Sequence, residues 1–176
     1  MKDDFAKPVA VLTLICLVVA GALAATNAAT EPIITAAAAE RAEQARREAV
    51  PGASGFTELS LDGFPNTVKE AYASDNDAGY VFTVAAKGYG GDITVICSIG
   101  GDGKLMSSSV LSHSETSGIG TRILDPQFSG TFAGADSRLE GVSAITGATI
   151  SSKAYINAIR DAFAAFDLIG GQDHGQ

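Results

Sequence analysis

The chain has 176 residues, with 12 Lys and Arg against 20 Asp and Glu and a formal net charge of −8. That length holds one globular domain plus an appendage, and the acidic balance argues against nucleic acid, which is bound by clustered Lys and Arg. Two cysteines (Cys16, Cys97) and two histidines (His113, His174) imply neither a disulfide framework nor a Cys–His metal site.

Residues Pro8–Thr30 carry no charge, and Val9–Ala25 is apolar apart from Thr13. At about 1.5 Å per residue such a helix crosses a hydrocarbon core of about 30 Å. A cleaved signal peptide is the competing reading, because Ala22-Leu23-Ala24 resembles a cleavage site, but Asp3 and Asp4 dilute the positive leader it would need. Ile15 before Cys16 is too large for a lipoprotein signal. The segment is therefore read as a retained anchor in the lipid bilayer. Lys2 and Lys7 lean the N-terminus to the cytoplasm, against Arg41, Arg46 and Arg47 beyond the span.

Ala36–Ala49 is rich in Ala, Glu, Gln and Arg and predicts a helical stalk that ends before Pro51-Gly52. Strands are predicted at Phe56–Leu61, Thr67–Ala73, Tyr80–Lys87, Asp92–Ile99 and Leu105–Ser112. The turn signals Gly88–Gly91 and Gly100–Gly103 separate the last three, as in an antiparallel meander. Residues 114–140 read as loop. Beyond them, apolar positions 155, 158, 159, 162, 163 and 166 repeat as one face of a helix that Gly170-Gly171 should stop. The fold class is α+β: a single N-terminal transmembrane helix, then an antiparallel sheet with a C-terminal helix. The expected boundaries are 1–7 for a cytoplasmic N-terminus, 8–30 for the span, 31–50 for the stalk, 51–170 for the domain and 171–176 for a polar tail.

The stretch that carries chemistry stands just before the last helix: Ser143-Ala144-Ile145-Thr146-Gly147-Ala148-Thr149-Ile150-Ser151-Ser152. Gly147 and Ala148 let backbone approach a ligand closely, and hydroxyls crowd a helix N-terminus whose unpaired N–H groups favour a phosphate. Ordinary N-capping by Thr149 or Ser151 accounts for the same residues.

Thr146-Gly147-Ala148-Thr149 resembles the [ST]-G-A-T motif of the FMN-binding domain family. Members include the G subunit of the Rnf ferredoxin:NAD+ oxidoreductase and the C subunit of the sodium-pumping NADH:quinone oxidoreductase. His113-Ser114-Glu115-Thr116-Ser117-Gly118-Ile119-Gly120 resembles the family's H-x-E-T-P-G-L-G loop beside the flavin. The resemblance implies FMN held by a phosphoester on Thr149, attached by a flavin transferase. Thr146, Gly147, Ala148, Ser151 and Ser152 would lie around the phosphate, and Glu115, Thr116 and Gly118 by the ring. Ser117 replaces the usual proline, and Ser143 stands where many members carry an acid.

The span, the stalk with Pro51-Gly52-Ala53 and the terminal helix look like the Rnf G subunit. That likeness implies an electron relay among other membrane subunits. Their assembly couples ferredoxin:NAD+ electron transfer to Na+ or H+ translocation at the cytoplasmic membrane, with the FMN domain outside. The chain itself shows no G-x-G-x-x-G before a helix and no Cys-rich cluster run, so neither NAD nor an Fe–S centre is expected on it. Alternatives are the C subunit of the quinone-reducing pump, a freestanding extracytoplasmic flavin carrier, and a non-redox anchored protein in which Thr149 only caps a helix.

Overall fold

The computed structural model describes the backbone of residues 2–172 and the side chains of residues 7–170. The chain divides into two compact units, Met1–Arg41 and Ala42–Gln176. Helix α1, Lys2–Ala49, runs without interruption and contains Pro8 and Pro32. The expected span and stalk are thus stretches of one helix, and Pro32 does not divide them. This helix is long and apolar enough to cross a membrane.

In the first unit Leu12, Leu14, Leu17 and Val18 are all more than 60% exposed, a surface suited to lipid rather than water. The hydroxyls of Thr13, Thr26, Thr30 and Thr35 donate to carbonyls one turn back at 2.9–3.0 Å. A helix that satisfies its own hydroxyls in this way adds no unpaired polar group to an apolar medium.

The second unit is built on a sheet of five strands: β1 Phe56–Glu58, β2 Val68–Ser74, β3 Tyr80–Lys87, β4 Asp92–Ile99 and β5 Leu105–Ser112. Their order is sequential and every pairing is antiparallel, which is the meander expected. The central pair is in continuous register from Tyr80↔Ile99 to Lys87↔Asp92. Alternation along it sends side chains to two separate cores. Phe82, Val84, Ile93, Val95 and Cys97 face one core, and Val81 and Ile96 face the other with Val50.

Helix α3, Thr149–Gln172, covers the first core with Tyr155, Ala158, Ile159, Ala162 and Phe163. Tyr155 stacks edge-on to Phe128 at 5.3 Å, and its hydroxyl donates to Ser108 Oγ at 2.9 Å. The helix continues through Gly170 and Gly171, since neither adopts the left-handed backbone that would end it. The expected polar tail therefore begins as helix at 171–172 and otherwise lies outside the described residues.

On the opposite face the last turn of α1 seals the smaller core. Ser98 Oγ, fully buried, donates to Ala49 O at 2.6 Å, and the Arg46 guanidinium lies 4.4 Å from the Tyr72 ring centre.

The region expected as loop holds a short 3-10 turn, Gly120–Leu124, and helix α2, Pro126–Gly130. Asp125 caps α2 by accepting from Gln127 N at 2.9 Å, and Pro126 supplies the preset first position.

Candidate functional site

Three segments converge at one end of the sheet: the β3–β4 turn, the loop after β5 and the start of α3. They enclose a cavity of about 500 Å³ lined by Tyr89, Glu115, Thr116, Ile119 and Gly120, and by residues 147–151. That volume lies within the usual range for small-molecule sites, about 300–1,000 Å³.

Glu115 ties the three segments together. Glu115 as a whole residue is only 8% exposed. Oε1 accepts from the backbone N–H of Tyr89 at 2.8 Å and of Gly90 at 3.1 Å, and Oε2 accepts from Ser151 Oγ at 2.6 Å. Burial pushes its pKa up, but hydrogen bonds from Ser151, Gly90 and Tyr89, with the nearby His113, outweigh it and hold the group below its ordinary value. The site therefore contains a fixed negative charge at neutral pH. Sequence reasoning placed Glu115 by the ring; in the structure its carboxylate accepts three hydrogen bonds from the protein itself.

Glycines fit around this carboxylate. A Cβ at Gly88 would meet Glu115 Oε1 and the Ile93 side chain, and one at Gly120 would meet Glu115 Oε2 and its Cβ. Gly118 has a left-handed φ of +80°, donates to Thr121 Oγ1 at 2.9 Å and lies outside the cavity lining. The Thr116 carbonyl accepts from Gly120 N at 3.0 Å in the turn that leads into the 3-10 segment, and Thr116 lines the cavity.

The approach to α3 is a tight turn in which Ala148 N donates to Ile145 O at 3.0 Å. Gly147, at φ +86°, occupies the position of such a turn that glycine takes without strain. Ala148 holds the capping position of α3: its carbonyl accepts from Ser152 N at 2.9 Å and Ser152 Oγ at 2.7 Å. Ser152 Oγ also accepts from Ile145 N at 3.1 Å, and the side chain is fully buried and outside the cavity lining.

Thr149 is the first residue of the helix, exposed, and among the described residues its hydroxyl makes no hydrogen bond. The backbone N–H groups of Thr149, Ile150 and Ser151 likewise meet no acceptor among them. Capping by Thr149 or Ser151 is thus not how this helix begins.

Some lining residues escaped the sequence reading. Tyr89, Ile119 and Ile150 are 72%, 56% and 54% exposed at the cavity. Large apolar groups left open around a pocket suit a flat aromatic ligand. Arg122, from the 3-10 turn, donates through Nη1 to Thr146 O at 2.7 Å, which fixes the turn before Thr149. An aromatic between glycines, and an arginine two residues beyond Gly120, were the available signals.

The cavity offers apolar walls for a ring, close backbone approach, and three free N–H groups beside a free hydroxyl for a phosphate. FMN fits that set of groups. The FMN-binding domain model matches residues 88–164, which contain every lining residue. The chain is 32% identical to the G subunit of the ion-translocating oxidoreductase complex of Methanosarcina acetivorans, over 98% of both chains. It is 30% identical to the G subunit of the proton-translocating ferredoxin:NAD(+) oxidoreductase complex of Clostridium ljungdahlii, over 86% of this chain and 85% of that one. It is 29% identical to the Na(+)-translocating counterpart of Acetobacterium woodii, over 85% of each. With nearly the whole of two chains aligned, this chain belongs to the family of G subunits of ion-translocating oxidoreductase complexes, built around an FMN-binding domain.

Proposed function

We propose that this chain is the electron-relay subunit of an Rnf-type complex, anchored in the membrane and carrying FMN covalently on Thr149. The observation that carries the reading is the free, exposed Thr149 hydroxyl at the first position of α3, on the rim of the cavity that Glu115 organises. The relatives from C. ljungdahlii and A. woodii are named as subunits of ferredoxin:NAD(+) oxidoreductases that move H+ and Na+ respectively. The same coupling is assigned here to the assembly, with the other subunits as electron donors and acceptors.

FMN supplies reversible electron uptake when bound; the chain's own residues hold and tune it. Tyr89, Ile119 and Ile150 keep water from the ring, Thr116 meets its polar edge, and the Glu115 charge opposes added negative charge nearby. The free N–H groups of Thr149, Ile150 and Ser151 take the ester phosphate. Thr146, Gly147 and Ala148 set the turn that presents the hydroxyl, and Gly118 and Ser152 shape the loop and helix behind it.

Making that ester from FMN itself would expel water into water, so the donor carries its phosphate as an anhydride, as flavin adenine dinucleotide does. Thr149 Oγ would bond to the flavin-side phosphorus with AMP as the leaving group, and the hydroxyl proton would have to pass to a base outside this site's described residues.

Residues 8–30 are assigned to the bilayer, with a cytoplasmic N-terminus, 31–50 to a stalk and 51–170 to an extracytoplasmic domain at the cytoplasmic membrane. The test is a denaturing gel viewed under ultraviolet light, followed by intact mass. A fluorescent band heavier by FMN less one water, absent in Thr149→Ala, supports the assignment. A dark band at polypeptide mass from cells containing the transferase overturns it.

A further inference from the structure

Arg122 has no part in the motifs that point to Thr149, yet it reaches the same turn. Its Nη1 donates to Thr146 O at 2.7 Å and lies 3.9 Å from where a Gly147 Cβ would be. One hydrogen bond uses one of the five N–H donors of a guanidinium. No carboxylate among the described residues pairs with Arg122, in a chain where acids outnumber bases by 20 to 12. An exposed guanidinium with no carboxylate partner among the described residues, tethered to a neutral carbonyl next to Gly147 of the cavity lining, is placed to receive an anion. Gly147 leaves that side of the turn without a side chain, so nothing intervenes between the guanidinium and the turn.

We infer that Arg122 is a positioning residue for flavin attachment, fixing the turn before Thr149 through Thr146 O while its remaining N–H groups hold the phosphate transferred to Thr149. The inference rests on the reading of Thr149 as the attachment site. Arg122 takes no part in bond making: it neutralises phosphate oxygens as Thr149 Oγ displaces AMP, and afterwards it stays beside the phosphodiester.

The test loads the full-length chain in detergent with the flavin transferase, Mg2+ and flavin adenine dinucleotide, following the rate by in-gel fluorescence and intact mass. Wild type, Thr149→Ala, Arg122→Lys and Arg122→Gln are compared. Glutamine preserves a donor for Thr146 O but removes the charge; lysine preserves the charge. Arg122→Gln is expected to load at least tenfold more slowly, with Arg122→Lys between it and wild type. Once loaded, Arg122→Gln should shift the 31P resonance of the phosphodiester, a readout free of the transferase.

Loading of Arg122→Gln within twofold of wild type overturns the inference, as does an unchanged 31P resonance. Equal slowing in both variants also overturns it, because the tether rather than the charge would then matter. Flavin still attached to Thr149→Ala is a separate failure, that of the attachment site itself.

Discussion

Ser151 Oγ donates to Glu115 Oε2 at 2.6 Å across 36 residues of sequence, joining the first turn of α3 to the loop after β5. Through Oε1 the same carboxylate holds the amides of Tyr89 and Gly90, so one side chain sets the spacing of three cavity walls. Removing its charge leaves three donors facing a weaker acceptor. Glu115→Gln is expected to cost about 1–3 kcal/mol at pH 7, read from denaturant unfolding of the full chain in detergent. Because the folded pKa lies below the ordinary 4.5, this stabilisation is present above pH 4.5 and is lost as pH falls through the folded value. The gap between wild type and variant should therefore close below pH 4.5. A gap that stays constant into acid would mean that the carboxylate contributes no linked charge.

Two glycines in one loop should differ in what alanine does to the cavity. At Gly120 a new Cβ meets Glu115 Oε2, stands 2.7 Å from Glu115 Cβ and 3.1 Å from Ser151 Oγ. Those atoms are buried and bonded, so they have little room to retreat. Gly120→Ala is expected to destabilise by about 1–3 kcal/mol and to slow flavin loading. At Gly118 nothing lies within 4 Å, and only the φ of +80° opposes a side chain. Gly118→Ala should cost about 1 kcal/mol and leave the loading rate near wild type. Equal effects on loading from the two would break the link between Glu115 packing and the cavity.

Thr149→Ala should be almost silent in stability. Ala148 occupies the cap of α3, and the Thr149 hydroxyl has no partner among the described residues to lose. Alanine is also the better helix former at that position. Melting of the flavin-free protein is expected to stay within about 0.5 kcal/mol of wild type, while Thr149→Ser keeps a hydroxyl and still accepts flavin. A loss near 1 kcal/mol, the usual worth of a cap, would return Thr149 to a capping role.

The sequence carried the sheet well because its signals there are local. Alternating apolar residues between glycine turns gave the bounds of β3, β4 and β5 as they stand in the structure. β1 is shorter than expected: its ladder with β2 runs over Phe56–Glu58, and Leu59 N adds one further bond to Ala71 O at 2.8 Å. Gly170-Gly171 read as a stop, yet a glycine ends a helix only in the left-handed region. Thr149 and the 113–120 loop were legible from short motifs, and the structure brings them to one cavity. Arg122 and Tyr89 were not: their partners Thr146 and Glu115 lie 24 and 26 residues away, and nothing in the local pattern marks such a contact.

The end of α1 offers a last, independent check. Ser98 Oγ satisfies Ala49 O at 2.6 Å inside the smaller core, where the final carbonyls of a helix have no partners of their own. Arg46 sits over Tyr72 and within 3.6 Å of Glu70, so that turn is held to the sheet by its side chains as well. Ser98→Ala leaves a buried carbonyl unpaired, at a cost of about 1–2 kcal/mol. If that cost falls on local opening of the turn, cleavage after Arg46 and Arg47 by trypsin should accelerate roughly tenfold, since 1.4 kcal/mol is a factor of ten in an equilibrium. Flavin loading at the far cavity should be unchanged. Cleavage at the wild-type rate would mean that packing of Val50 and Arg46, without this hydrogen bond, is enough to hold the helix end on the sheet.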